Sequence, residues 1–183
     1  DKLYGGIGND KLYGDSSADK LYGQDGDDYL SGGSSKDTLS GGNGNDELHG
    51  GTSADKLYGG AGSDKLYGDS GDDYLKGHSG DDILYGGEDD DYLRGGDDRD
   101  YLYGESGDDL LKGEDGDDEL VGGTGKDDLY GGKGNDRFIL TAGSGYDRIR
   151  DFKKGEDRVD LAEFDINKLE VLNSGKNLKI YNI

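Results

Sequence analysis

The chain contains no cysteine, methionine, tryptophan or proline, and only two histidines. Without cysteine there is no disulfide scaffold and no thiolate chemistry. His49 and His78 stand alone, with neither a second histidine nor a cysteine at ligand spacing, which argues against a zinc site or imidazole catalysis. No apolar run approaches the ~18 residues of a membrane-spanning helix. No serine sits in a nucleophile elbow, and no glycine-rich loop carries the lysine and Ser/Thr of a P-loop. The stretch Asp25-Gly26-Asp27-Asp28 lacks the terminal glutamate of an EF-hand frame. We therefore expect no enzymatic activity. Positive charge is also scarce, with 21 basic against 43 acidic residues and a net charge of −22. That balance argues against nucleic acid as a partner.

What is abundant is glycine, 38 of 183 residues, and it is placed with strict regularity. An apolar residue recurs every nine positions, from Leu3, Leu12 and Leu21 through Leu129 to Phe138. An aspartate lies two residues before each of these, from Asp1 to Asp136, without a substitution. A glycine lies two residues after every leucine of the series, from Gly5 to Gly131. The fullest copy, Gly41-Gly42-Asn43-Gly44-Asn45-Asp46-Glu47-Leu48-His49, reads G-G-x-G-x-D-x-L-x.

Each position has a physical role. Glycine tolerates positive φ and lets the backbone turn tightly, so that several carbonyl oxygens converge. The aspartate adds carboxylate oxygens at a fixed place in that turn. A ligand set of carbonyls and carboxylates, without nitrogen or sulfur, suits a hard and flexibly coordinated cation such as calcium. The x-Leu-x that follows is a short strand with its leucine facing inward. Each nonapeptide is then a loop plus a strand, and two make one turn, so residues eighteen apart stack.

At this level the sequence resembles the RTX, or hemolysin-type, calcium-binding repeats, whose nonapeptide builds a calcium-binding parallel β-helix. The resemblance implies an all-β fold, a right-handed parallel β-roll, with calcium between loops of successive turns on each side. The implied ligand-bearing residues are Asp10, Asp19, Asp28, Asp37, Asp46, Asp55, Asp64, Asp73, Asp82, Asp91, Asp100, Asp109, Asp118, Asp127 and Asp136. With them go the loop glycines Gly6, Gly8, Gly26, Gly42, Gly44, Gly60, Gly62, Gly71, Gly80, Gly107, Gly116, Gly123, Gly125, Gly132 and Gly134. Loops alternate sides, so the number of calcium ions expected is roughly 6 to 13. The resemblance also implies export through a type I secretion system, folding outside the cell on meeting calcium, and an extracellular location.

Two regions are expected. Residues 1–136 form the roll and carry 35 acidic and 12 basic side chains, a composition that keeps a metal-free chain disordered. Residues 137–183, nearly neutral, form a C-terminal cap that partly continues the roll. Gly143–Ile149 keeps G-x-G-x-D-x-apolar after a two-residue insertion, and Asp157-Arg158-Val159 keeps the core of the motif. The apolar side chains Phe138, Leu140, Ile149, Phe152, Val159, Leu161 and Phe164 are expected to close the end. Val171-Leu172 and Leu178–Tyr181 read as strands, and Leu161 to Leu169 as room for one helical turn. The segment from Asp151-Phe152 to Leu161 is similar to the one that closes many RTX blocks. Asn177–Tyr181 resembles the block end of pore-forming members. Starting on a repeat aspartate with no initiator methionine, the sequence is expected to be a segment of a longer chain.

Three roles fit this reading. The first is a calcium-dependent folding and stabilisation module of a secreted protein. The second is an adhesive or surface module, in which tyrosines stacked eighteen apart (Tyr67, Tyr85 and Tyr103; Tyr74 and Tyr92) contact a host surface or glycan. The third is an appendage of an RTX enzyme or pore-forming toxin whose active part lies elsewhere. The two loop rows also differ. In the row from Asp10 to Asp136 only Asp98 replaces the third loop glycine. In the row from Asp19 to Asp127 it is replaced by Ser17, Ser35, Ser53 and Asp89. Ala18 and Ala54 add a loss of polarity there, and Lys36, Arg99 and Lys126 place cations near the rows. We expect the second row to be the poorer one.

Overall fold

The computed structural model describes residues 1–141, 145–162, 169–174 and 177–182. All regular elements among them are strands. Strand β1 spans Lys2–Ile7, β2 Lys11–Tyr13 and β3 Lys20–Asp25, and strands then recur every nine residues to β15, Asp128–Lys133. β16 (Arg137–Thr141), β17 (Arg148–Ile149) and β18 (Arg158–Ala162) follow, then β19 (Leu169–Ser174) and β20 (Asn177–Asn182).

Odd-numbered strands up to β17 form one parallel sheet and even-numbered strands up to β18 the other. Each strand therefore pairs with the strand two elements on, and the chain is a parallel β-solenoid of about nine turns. The register is the sequence period doubled: Leu3 lies beside Leu21, Leu84 beside Leu102 and Leu111 beside Leu129. One leucine column per sheet faces the other across the interior. From Leu12 through Leu129 these side chains are almost entirely buried, and Phe138 and Ile149 extend the columns. Leucine in this position excludes water from a core only two side chains wide, at about 2 kcal/mol per buried side chain.

The insertion before Gly145 does not break the stack. Ile149 sits beside Leu129, and Val159 beside Phe138. Phe152 packs on Phe138 with ring centroids 6.4 Å apart. Beyond β17 the first sheet changes direction: β20 pairs with β17 antiparallel, and β19 with β20 antiparallel. The expected strands at Val171-Leu172 and Leu178–Tyr181 are present. Leu161 and Leu169 are in strands, while the intervening part of the expected helical turn, and Phe164, fall outside the described residues. Leu161 is 37% exposed, so it does not close the core as expected. It lies beside Leu140 in β18, the outer strand of its sheet among the described residues.

Tyrosines next to the leucines point outward and stack along the roll. Tyr67, Tyr85 and Tyr103 are 5.0 Å apart and nearly parallel. His49 continues that column, 4.5 Å from Tyr67. Tyr74 and Tyr92 meet edge to face. The rings of the stacked column contact one another face to face, so edges and hydroxyls meet solvent.

Candidate metal sites along the two loop rows

Between strands, each loop carries its aspartate inward beneath the leucine column. One carboxylate oxygen has a fixed partner. The backbone N–H of Asp10 donates to Asp28 Oδ1 at 2.7 Å, that of Asp28 to Asp46 at 2.8 Å, and that of Asp82 to Asp100 at 2.9 Å. The second row repeats this, from Asp19 to Asp37 at 2.7 Å through Asp109 to Asp127 at 2.9 Å. The aspartate thus measures the turn, because its Oδ1 accepts from the residue eighteen positions earlier.

The other oxygen has none. Oδ2 of each aspartate at nine-residue spacing from Asp10 to Asp136 is buried without a hydrogen-bond partner. A buried, unpaired carboxylate oxygen is strongly unfavourable, and here fifteen stand in two files. Burial, with help from neighbouring carboxylates, pushes those inside the roll up from the ordinary 3.8: Asp46 to about 6, Asp64 and Asp91 to about 8, and Asp100 to about 9.

The first loop glycine explains where the oxygens point. A Cβ added at Gly41 would lie 2.1 Å from Asp46 Oδ2, and one at Gly23 only 2.2 Å from Asp28 Oδ2. The same added atom at Gly23 would meet the carbonyl oxygen of Gly41, in the next turn, at 2.7 Å. Carboxylate and carbonyl oxygens of adjacent turns therefore converge beside a position that only glycine leaves open. Among the described residues no three acidic, histidine or cysteine side chains gather into one cluster. Backbone carbonyls must supply the remaining oxygens. An all-oxygen set of one carboxylate per turn and several carbonyls fits a hard divalent cation, calcium above all.

The second and third loop glycines serve the backbone. Gly6, Gly8, Gly26, Gly42, Gly44, Gly60, Gly62, Gly71, Gly80, Gly107, Gly123, Gly125, Gly132 and Gly134 all take positive φ. Gly116 does not, but a Cβ there would strike the carbonyl oxygen of Asp98 at 1.7 Å. Ser35, Ser53, Asp89 and Asp98 hold the third position at φ between 76° and 90°, the strained conformation expected. Ser17 departs from it, in the loop that follows β2, which is only three residues long.

Two features were missed in the sequence. The second loop position is as demanding as the third, and Asp15, Gln24, Asp69, His78, Glu105 and Glu114 all take positive φ there. His78 therefore has a backbone role. The signal was available, because this position lies one residue after an invariant glycine, but its frequent replacements hid it. The second feature is an outer ladder just before the aspartates. Asn9, Asp27 and Asn45 each accept the N–H of the residue eighteen later, at 2.8–2.9 Å. Asp72, Asp90 and Asp108 do so in the other row, at 2.8–3.3 Å. Ala18, Lys36 and Ala54 cannot accept such a bond, so this support is missing where Asp19, Asp37 and Asp55 sit.

The rows end in protein donors. Asp157 accepts the N–H of Asp136 on Oδ1 at 3.2 Å and that of Lys153 on Oδ2 at 2.7 Å. Asp151 accepts from Gly131 and Gly132 at 3.0 Å each. Lys153 Nζ donates to the carbonyl oxygen of Gly132. Asp147 continues the second row and accepts the N–H of Asp127 at 3.3 Å.

The family model for the RTX calcium-binding nonapeptide repeat, itself four copies long, matches residues 4–39, 31–66, 40–75, 67–102, 76–111 and 103–138. The chain belongs to the RTX calcium-binding repeat family. The matches cover the roll without a gap and stop where the register shifts at the insertion. No curated protein matches the chain. RTX repeats are calcium-binding units, and the files of unpartnered Asp Oδ2 atoms are where this chain's own residues meet that requirement.

Proposed function

We propose that this chain is a calcium-dependent folding and stabilisation module of a secreted RTX protein. One observation carries the reading: fifteen buried carboxylate oxygens without partners, in two files that bound cations would complete. Asp10 to Asp136 and Asp19 to Asp127 would hold calcium with loop carbonyls of adjacent turns. The bound ions supply charge neutralisation and the cross-turn links that the carboxylates cannot make alone.

The consequence is a switch set by the surroundings. In sub-micromolar calcium the repulsion within residues 1–136 keeps the chain open, in the form that threads a type I exporter. Outside the cell, at about 1 mM ion and a site constant of ~10 μM, linkage gives about 2.7 kcal/mol per site. Several sites together drive folding. Among the described residues no helix is long and apolar enough to cross a membrane. An enzymatic or pore-forming activity of a parent protein would then reside in other segments. Circular dichroism tests the reading: little ordered structure in excess chelator, and a cooperative gain of β-structure on adding calcium. Magnesium substitutes poorly, because it demands octahedral geometry and sheds water reluctantly. A spectrum already β-rich in chelator contradicts the proposal.

A further inference from the structure

The two outer faces of the roll are not alike. On the first sheet the residues flanking the leucines include Lys2, Lys20, Lys56, Lys76, Arg94 and Lys112. The only acid at those flanking positions is Asp128, which Arg148 and Arg150 neutralise at 2.6 and 2.8 Å. Arg94 pairs with Glu114 on the same face. Lys20, Lys56, Lys76 and Lys112 have no carboxylate in ion-pair range among the described residues. On the second sheet Lys11, Lys65 and Arg137 are offset by Glu47, Glu119, Asp69 and Glu105. A chain of net charge −22 thus sorts its acids to the loops and the second face, and leaves a cationic strip on the first.

The strip has a definite shape. Its cations form two files side by side on the face: Lys2, Lys20 and Lys56 before their leucines, then Lys76, Arg94 and Lys112 after theirs, about 4.8 Å apart on adjacent strands within a file and twice that across Thr38. Tyrosines lie between them: Tyr4 stacks on Tyr22 at 5.0 Å, and Lys112 Nζ rests 5.2 and 5.5 Å from the rings of Tyr92 and Tyr130. Both edges of the strip are acidic loop rows, which retain exposed Asp27, Asp72, Asp90, Asp108 and Asp117. A partner must therefore be anionic, extended and narrow. A membrane plane is too wide, because it would bring headgroups against those carboxylates.

We propose that the outer face of the first sheet binds a linear polysaccharide bearing carboxylate or sulfate groups, laid along the roll axis. The proposal rests on the calcium-folded roll of the preceding section, which presents the face and neutralises the acidic loops beside it. Heparin oligosaccharides are the probe, with dextran oligosaccharides of equal length as the uncharged control, measured by calorimetry in about 1 mM calcium and about 0.15 M salt. Lys20→Glu with Lys56→Glu is compared with Lys11→Glu and Lys65→Glu, which make the same charge change on the opposite face.

The expected result is binding of heparin but not dextran, weakened at least about tenfold by the first pair and little changed by the second. Absence of binding by the folded chain, or equal weakening by both pairs, overturns the proposal. Binding to phosphatidylserine vesicles without binding to heparin overturns it in favour of a membrane. Circular dichroism on the same samples separates the two readings: a native spectrum without binding refutes the strip alone, and a chain that stays unfolded in calcium refutes both.

Discussion

Aspartate in this repeat divides its two oxygens between two tasks. Oδ1 fixes the distance to the neighbouring turn through a backbone amide, and Oδ2 is left for a cation. The metal-free folded state must otherwise hold Oδ2 as a buried charge or a buried proton. Since folding raises the repeat aspartates inside the roll, such as Asp64 and Asp100, above 3.8, the folded, metal-free chain binds more protons than the unfolded one. Stability in chelator therefore rises as pH falls from about 9, the folded value at Asp100, towards 3.8. Ellipticity in chelator should grow on acidification over that range; a loss of structure instead would contradict the burial of these carboxyls. Backbone strain acts at the same scale. Ser53, at φ 90°, holds the third loop position that Gly71 holds one turn on, and Ser53→Gly should stabilise the calcium-bound roll by about 0.5–1 kcal/mol, read from urea midpoints at fixed calcium. A lower midpoint would show that the serine contributes more than its strain costs.

At the level of the loop and strand, the rows should fill unequally. We expect calcium in a nearly continuous file beside Asp10 to Asp136, interrupted near Asp98-Arg99. The file beside Asp19 to Asp127 should have gaps between Asp19 and Asp55, and its best site between Asp109 and Asp127. A crystal structure in millimolar calcium with full and equal occupancy in both would refute this. The outer ladder strengthens the expectation, since its acceptors are absent at Ala18, Lys36 and Ala54 and present from Asp72 to Asp108. The leucine register and inward aspartates were legible because a strict period of nine leaves one way to stack them. The ladder was not, because an N–H···Oδ1 bond between turns depends on how far each loop leans. Pattern also hid the direction of β19 and β20, since alternation looks the same in parallel and antiparallel strands.

The C-terminal elements close the roll by continuing it: Val159 lies beside Phe138, Ile149 beside Leu129, and Phe152 packs on the Phe138 ring. These contacts join the densest apolar group to intact loops ending at Asp127 and Asp136. Deleting residues 137–183 should therefore raise the calcium midpoint for folding severalfold or abolish the transition. Truncated repeats that fold at unchanged calcium would show that the end of the roll does not start its folding.

For the whole molecule, charge and core size set the behaviour. On the proposed reading, a core two leucines wide does not order residues 1–136 while their acids repel, and cations at the Oδ2 files supply what is missing. The asymmetry of the two outer faces belongs to this scale too. Its charges are plain in the sequence, but only the pairing of odd with odd strands shows that they share a face. Small-angle scattering in chelator and then in calcium tests the central claim most directly. An unfolded chain of this length has a radius of gyration of about 45 Å, and a compact one about 16 Å. The account predicts a cooperative fall from near the first value to below about 20 Å as calcium rises into the millimolar range. A chain equally compact in chelator and in calcium would contradict it.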